Sequence, residues 1–259
     1  GNPKRLEDVI NAPLSACLFT GYVASVLQRN TIGVEIVNAR LRDWSLEQTA
    51  TYLSNKSFRL LCVHVIYLWE KTRDVFELLS NLRAGNITAH INLYGYYPTF
   101  AYKKILACFP GIDSVTVGEP EITILDLARC LLSKENISSK MDIPGLAVRG
   151  SKGQVAFHPR PPVHDLDQLP FPDRQDISLY QKKGIVSYIL GSRGCYGQCT
   201  FCYLNPFYAE INQWRGRSAK NMYDEVFELY TKHAITNIYF SDPNFFGPGK
   251  AGKERAITF

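Results

Sequence analysis

The chain has 259 residues, a formal net charge of +5, 46% hydrophobic and 20% charged residues. This composition suits one large or two modest globular domains and excludes a disordered chain. The weak, evenly spread charge gives no case for a nucleic-acid surface, and the longest strongly apolar run, Leu60 to Trp69, is too short for a membrane span of ~20 residues.

The chain begins with Gly1 rather than Met, which reads as a processed or truncated start, and no secretion signal is visible. Ala12 to Arg29 is expected to be a helix, with Leu14, Leu18, Tyr22, Val26 and Leu27 as its apolar stripe. Gly33 to Ala39 reads as a short strand and Leu46 to Leu53 as a short helix. Leu60 to Leu68 has the near-continuous apolar character of a strand covered on both faces. Thr72 to Arg83 is helical, Ala89 to Tyr94 is a strand ending at Gly95, and Ile112 to Val117 is a strand ending at Gly118. Pro120 then opens a helix through Leu132. This alternation predicts a parallel sheet with right-handed crossovers.

Residues 136–183 are proline-rich and read as a linker carrying a small hairpin, Ala147–Arg149 with Gln154–Phe157. Beyond it, Ile185 to Leu190 is a strand, Ser218 caps a helix through His233, and Ile238 to Phe240 starts another strand. The division is therefore 1–135, 136–183 and 184–259.

Seven cysteines cannot all pair, which favours a reduced, cytoplasmic compartment and metal binding over disulfides. Cys195, Cys199 and Cys202 cluster in a glycine-containing loop after a predicted strand, a spacing that random placement would give about 0.005 times per chain. Such a loop could fold all three sulfurs toward one point. Thiolates suit zinc or iron–sulfur clusters, and structural zinc needs a fourth ligand. No histidine lies in the loop and Cys130 lies mid-helix in the other half, so three ligands suggest a four-iron cluster with one iron left open. Cys17, Cys62, Cys108 and Cys130 read as small buried hydrophobes, and His64 as a hydrogen-bonded core residue.

The CxxxCxxC pattern, with Phe201 before the third cysteine, resembles the radical S-adenosylmethionine (SAM) superfamily. The resemblance implies that Cys195, Cys199 and Cys202 hold a [4Fe–4S] cluster. It also implies that SAM chelates the open iron and is cleaved to a 5′-deoxyadenosyl radical, with Phe201 near the adenine. Trp214 to Ser218, followed by Asp224 and Glu225, resembles the approach to the first barrel helix. Phe240 to Phe245 resembles the acidic end of the second barrel strand, where Asp242 and Asn244 would face the cofactor; alone, the stretch is a turn-rich loop.

The first half resembles the cobalamin-binding domain that precedes the catalytic domain in one branch of this superfamily. Pro13-Leu14, the Leu93 to Thr99 turn and the Asp113 to Glu121 turn carry the likeness, with the linker motifs around Ile143 to Leu146 and Asp165 to Pro172. Gly95, Thr99, Gly118 and Glu119 are the cofactor-binding candidates it implies, although both glycines also suit ordinary turns. The aromatic residues around Tyr96 could line a corrin pocket or pack a core. The cobalt-ligating DxHxxG motif is absent, Tyr96 replaces one glycine of the GG pair, and no first strand is visible in Gly1 to Val9.

The implied architecture is α/β: a Rossmann-like (flavodoxin-like) cobalamin-binding domain followed by the start of a partial (β/α) radical SAM barrel. Residues 184–259 have room for about two and a half strand–helix units of about 30 residues each, so the chain reads as a fragment or a degenerate relative. The implied activity is methyl transfer to an unactivated carbon or phosphinate, with oxidative ring formation or a non-catalytic cofactor module as alternatives. The implied partners are a small-molecule or peptide substrate and a reductase, flavodoxin or ferredoxin as electron donor.

Overall fold

The structure is a computed structural model that describes residues 17–66, 70–133, 140, 142–208 and 214–259. The expectations placed on Gly1 to Val9, Pro13 and Leu14 lie outside them.

Helix α1 (Leu18–Arg29) buries Tyr22, Val23, Val26 and Leu27, as its stripe predicts. Helix α2 (Leu46–Ser54) starts at a capping box: the Ser45 hydroxyl accepts the Gln48 N–H at 3.1 Å, and the Ser45 N–H donates to the Gln48 side chain at 2.8 Å. Strand β1 (Leu60–His64), helix α3 (Glu70–Ala84), strand β2 (His90–Tyr94), helix α4 (Tyr96–Cys108), strand β3 (Ser114–Thr116) and helix α5 (Glu121–Leu132) follow. Strands β1, β2 and β3 pair in parallel, as the alternating pattern requires. Strands β4 (Leu146–Arg149) and β5 (Val155–Phe157) form the expected hairpin and extend the same sheet antiparallel, in the order β1-β2-β3-β4-β5.

Side-chain alternation along β2 divides the packing. Ile91 and Leu93 join Phe76, Leu79 and Leu82 of α3 and Ile105 and Leu106 of α4 on one face. Tyr94 joins Tyr22, Val26 and Leu27 of α1 and Ile124, Leu125 and Ala128 of α5 on the other. The proline-rich stretch packs onto this second layer through Leu166 and Leu169, and the Asp173 N–H bonds the Gly21 carbonyl at 3.0 Å.

Two sequence expectations need correction here. Gly33 to Ala39 is not a strand, and β1 is half-buried along its whole length rather than covered on both faces. The reasons are linked. A strand must lie within about 4.8 Å of a neighbour to pair. A cavity of about 1010 Å³ is lined both by residues 31–39 and by all five residues of β1. Among the described residues β1 pairs only with β2.

After α6 (Ile177–Lys182), the second unit holds β6 (Ser187–Ile189), β7 (Ser192–Arg193), α7 (Leu204–Phe207), β8 (Arg215–Gly216), α8 (Ala219–His233), β9 (Ile238–Phe240) and α9 (Gly249–Thr258). β6 pairs parallel with β9 across α8, one strand–helix–strand unit, and Ile189, Leu229 and Ile235 form its core with Ile177. Ser218 caps α8 as predicted, accepting the Asn221 N–H at 3.1 Å. Among the described residues no helix is long and apolar enough to cross a membrane.

Candidate functional site

The cysteine loop leaves β7 directly: Arg193 ends the strand, Gly194 turns with φ +73°, and Cys195 follows. Cys195 and Cys202 are half-buried, whereas Cys199 is exposed. The Gly197 N–H points at the Cys195 sulfur at 3.3 Å, and the Cys202 N–H bonds the Cys199 carbonyl at 3.0 Å. Asn205, on α7, donates to the Gly197 carbonyl at 2.7 Å and closes the loop onto the helix. Phe201 is 90% exposed. Among the described residues no three His, Cys, Asp or Glu side chains are grouped to hold one metal ion. Three thiols spread over one loop, with an N–H already aimed at a sulfur, still fit a cubane, whose irons occupy separate corners.

Asp242 and Asn244 lie just beyond β9 and tie the loop's base in place. Asp242 accepts the Gly191 N–H at 2.8 Å and a close hydrogen bond from the Ser192 hydroxyl. Burial raises its pKa above the ordinary carboxyl value, and the Ser192 and Gly191 hydrogen bonds oppose that rise. The Asn244 side-chain amide donates to the Tyr196 hydroxyl at 2.8 Å, and the Asn244 backbone carbonyl accepts from Trp214 Nε1 at 2.7 Å.

The candidates in the first unit gather at the carboxyl ends of the parallel strands. Gly95 has φ +112°, and a Cβ there would lie 2.4 Å from the Val65 carbonyl oxygen and 3.0 Å from the His64 ring, so packing against β1 already demands glycine. Thr99 Oγ1 accepts the Gly118 N–H at 3.0 Å, joining two candidates that the sequence keeps apart. Gly118 has φ +82°, and a Cβ would approach the Phe207 carbonyl of α7 to 3.3 Å.

Glu119 is placed differently from a ligand-facing residue. Its carboxylate accepts the Val163 N–H at 2.8 Å, Arg193 at 3.2 Å, and two Arg215 nitrogens at 2.9 and 3.2 Å. Burial alone would raise its pKa, but Arg193 and Arg215 hold it below the ordinary value. Sequence reasoning did not single out Arg193, Arg215 or Glu121: Arg215 and Glu121 lie inside the Trp214 to Ser218 and Asp113 to Glu121 stretches, and Arg193 stands two residues before Cys195.

The other cysteines diverge. Cys130 is buried, as expected, and burial pushes the half-buried Cys62 thiol up to about 12. Cys108 is exposed, contrary to expectation, because it ends α4 on the solvent side. Cys17 is not an inert hydrophobe: its sulfur lies 3.1 Å from His64 Nδ1. Burial opposes ionisation of this thiol, and the imidazole together with hydrogen bonds from Thr20 outweighs it, lowering the pKa. His64 thus has its hydrogen bond through Nδ1, while Nε2 is buried with no partner among the described residues.

The two units meet through aromatic rings. Tyr203, next to Cys202, packs edge-on against Tyr96 at the head of α4 with centroids 4.7 Å apart, and Phe207 lies 4.5 Å from the same ring. The ends of the first unit's parallel strands therefore adjoin the cysteine loop.

This is the fold of cobalamin-dependent radical SAM enzymes. The solved cobalamin-dependent S-adenosylmethionine radical enzyme OxsB, with aqua-cobalamin and S-adenosylmethionine bound, superposes with a TM-score of 0.82 over 98% of this chain and 35% of that one, at 21% identity. The radical S-adenosylmethionine methyltransferase TsrM from Kitasatospora setae, with cobalamin and a [4Fe-4S] cluster bound, gives a TM-score of 0.71 over 90% of this chain and 46% of that one, at 18% identity. In sequence, the chain is 30% identical over 154 residues to the anaerobic magnesium-protoporphyrin IX monomethyl ester cyclase of Synechocystis sp., covering 58% of this chain. It is 28% identical over 168 residues to the cytidylyl-2-hydroxyethylphosphonate methyltransferase of Streptomyces wedmorensis, covering 52% of this chain. The chain spans 30% of the length of each of these two relatives. No family model matches it.

Proposed function

We propose that this chain is the corrin-binding unit and the opening of the catalytic barrel of a cobalamin-dependent radical SAM methyltransferase acting on an unactivated carbon or a phosphinate. The supporting observation is the apposition of the cysteine loop and the carboxyl ends of the parallel strands across Tyr96 and Tyr203. In a doubly wound sheet those ends are where cofactors bind. The division into residues 1–135, 136–183 and 184–259 is kept, the middle stretch lending its hairpin to the first unit's sheet.

When bound, a [4Fe–4S] cluster with SAM supplies reductive bond cleavage, and cobalamin supplies a transferable methyl group. The chain's own contribution is placement. The thiolates of Cys195, Cys199 and Cys202 would hold three irons, with the Gly197 N–H offsetting negative charge at the Cys195 sulfur. Phe201, exposed on the loop, would lie near the adenine of SAM. Asp242 and Asn244 hold the approach to the loop rigid, beside the SAM side of the site. Gly95 and Gly118 shape the two turns that would border the corrin, their Cβ positions facing Val65, His64 and Phe207, and Thr99 fixes the second of these turns. No histidine of the DxHxxG type is present to ligate cobalt. The substrate is a small molecule or peptide, the electron donor a reductase, flavodoxin or ferredoxin, and free thiols with an oxygen-sensitive cluster suit the cytoplasm.

A second reading, oxidative ring formation, is supported by the similarity to the Synechocystis cyclase. Anaerobic protein, reduced and supplied with hydroxocobalamin and methyl-labelled SAM, separates them. The methyltransferase reading expects a corrinoid that co-purifies with the protein and acquires label, together with 5′-deoxyadenosine. SAM cleavage with no labelled corrinoid supports the cyclase, and absence of both corrinoid binding and cleavage overturns the proposal.

A further inference from the structure

A buried, charge-balanced tetrad joins the Gly118 turn to the root of the cysteine loop. Glu119 and Glu121 come from the first unit. Arg193 and Arg215 come from the second and face each other across the β7–β8 pair. Arg193 bonds Glu119 at 3.2 Å and Glu121 at 2.6 Å, while Arg215 bonds Glu119 at 2.9 Å. Side-chain exposure is 1% for Arg193, 6% for Glu119, 0% for Glu121 and 5% for Arg215. The Arg193 guanidinium also lies over the Tyr22 and Phe19 rings of α1, at 5.0 and 5.4 Å.

We infer that Glu119 is a positioning residue for the cysteine loop: through Arg193 and Arg215 it fixes where Cys195 stands relative to the Gly118 turn. The geometry gives three reasons. Glu119 is the one carboxylate of the tetrad that holds both arginines. Only Gly194 separates Arg193 from Cys195, so displacement of the guanidinium is transmitted to the first thiol. Gly118, adjacent to Glu119, is itself fixed by Thr99, and a Cβ there would approach to 3.3 Å the Phe207 carbonyl of α7, the helix that closes the loop through Asn205. One short stretch therefore holds the entry of the cysteine loop and lies beside the helix at its exit.

Removing the Glu119 charge leaves two buried guanidiniums facing one carboxylate. An uncompensated buried charge is costly, so the β7–β8 ribbon must open toward water and carry Cys195 with it. Asp at 119 retains the charge but is one methylene shorter. Lys at 193 retains charge but loses the fork that reaches two carboxylates. The cofactor identities rest on the function proposed above; the geometry does not.

The test is alkylation of the metal-free full chain by iodoacetamide, followed cysteine by cysteine by peptide mass spectrometry. In the wild type Cys195 should react more slowly than exposed Cys199, and buried Cys130 most slowly. In Glu119→Gln the Cys195 rate should rise about tenfold relative to Cys199, with Cys130 unchanged, as expected for local opening. Arg193→Lys should move Cys195 the same way, and Glu119→Asp should restore part of the protection. An unchanged Cys195 rate in both Glu119→Gln and Arg193→Lys would overturn the inference, as would equal rises at Cys195 and Cys130, which signal global loosening. Iron content of reconstituted wild type is measured separately. Its absence would sink the proposed function and leave the alkylation result decisive for the role of Glu119.

Discussion

Thr99 Oγ1 accepts the Gly118 backbone N–H at 3.0 Å, so the first turn of α4 holds the turn that follows β3. Thr99 is buried, and losing its hydroxyl leaves that N–H without its partner. Thr99→Val should lower unfolding free energy by about 1–3 kcal/mol and weaken hydroxocobalamin binding, whereas Thr99→Ser should do neither. Urea denaturation and a visible-absorbance titration check both. Equal behaviour of the Val and Ser variants would count against the role given to the hydroxyl.

Two glycines with positive φ should respond differently to alanine. At Gly95 an added Cβ meets the Val65 carbonyl oxygen at 2.4 Å, whereas at Gly153, φ +82°, it meets nothing within 4 Å. Gly153→Ala should cost only the left-handed backbone penalty, about 1–2 kcal/mol. Gly95→Ala adds a backbone clash at the β1–α4 junction and should cost markedly more, or prevent soluble expression. Thermal melts of the pair are the check; equal losses would mean that the close approach at Gly95 is not rigid.

Much of this organisation was legible in the sequence. The Ser218 cap and the hairpin at 147–157 are local signals, and each is found where its chemistry indicates. Helix α4 was not recognised: its first turn carries Tyr96, Tyr97 and Pro98, which read as a turn followed by an aromatic patch, and Gly95 caps it with no side chain. Gly33 to Ala39 has strand composition, but strand formation depends on a neighbour that composition cannot show. The Glu119–Arg193 contact joins residues distant in sequence, and neither residue carries a local mark of its partner.

Arg149 illustrates another long-range device. Its guanidinium donates to the Leu106, Phe109 and Ile112 carbonyls at 2.7, 2.6 and 2.6 Å, which binds the end of α4 to β4. Arg149→Lys cannot span three acceptors and should destabilise the chain by about 2–4 kcal/mol, with Cys195 alkylation unaffected. A loss below about 0.5 kcal/mol in urea denaturation would show the staple to be redundant.

Acid should weaken the fold in two windows. Burial lowers the His90 pKa from 6.5 to about 4, so the unfolded chain takes up a proton that the native state excludes. Its contribution is complete above pH 6.5 and is lost as pH falls toward 4. Glu119 has a native pKa below the ordinary 4.5, so its contribution is complete above 4.5 and is lost as pH falls through the native value. Urea midpoints should decline through both windows. His90→Gln should flatten the upper one and Glu119→Gln the lower; an unchanged profile in either variant refutes that assignment.

The central claim concerns the three thiols at 195, 199 and 202. The most direct measurement is iron and acid-labile sulfide per chain, with zinc determined in parallel, after anaerobic reconstitution of wild type and Cys199→Ala. The account predicts roughly four irons and four sulfides in the wild type, a brown chromophore, and loss of both in the variant. A colourless wild-type protein, one tetrahedral zinc, or iron unchanged by Cys199→Ala would contradict it.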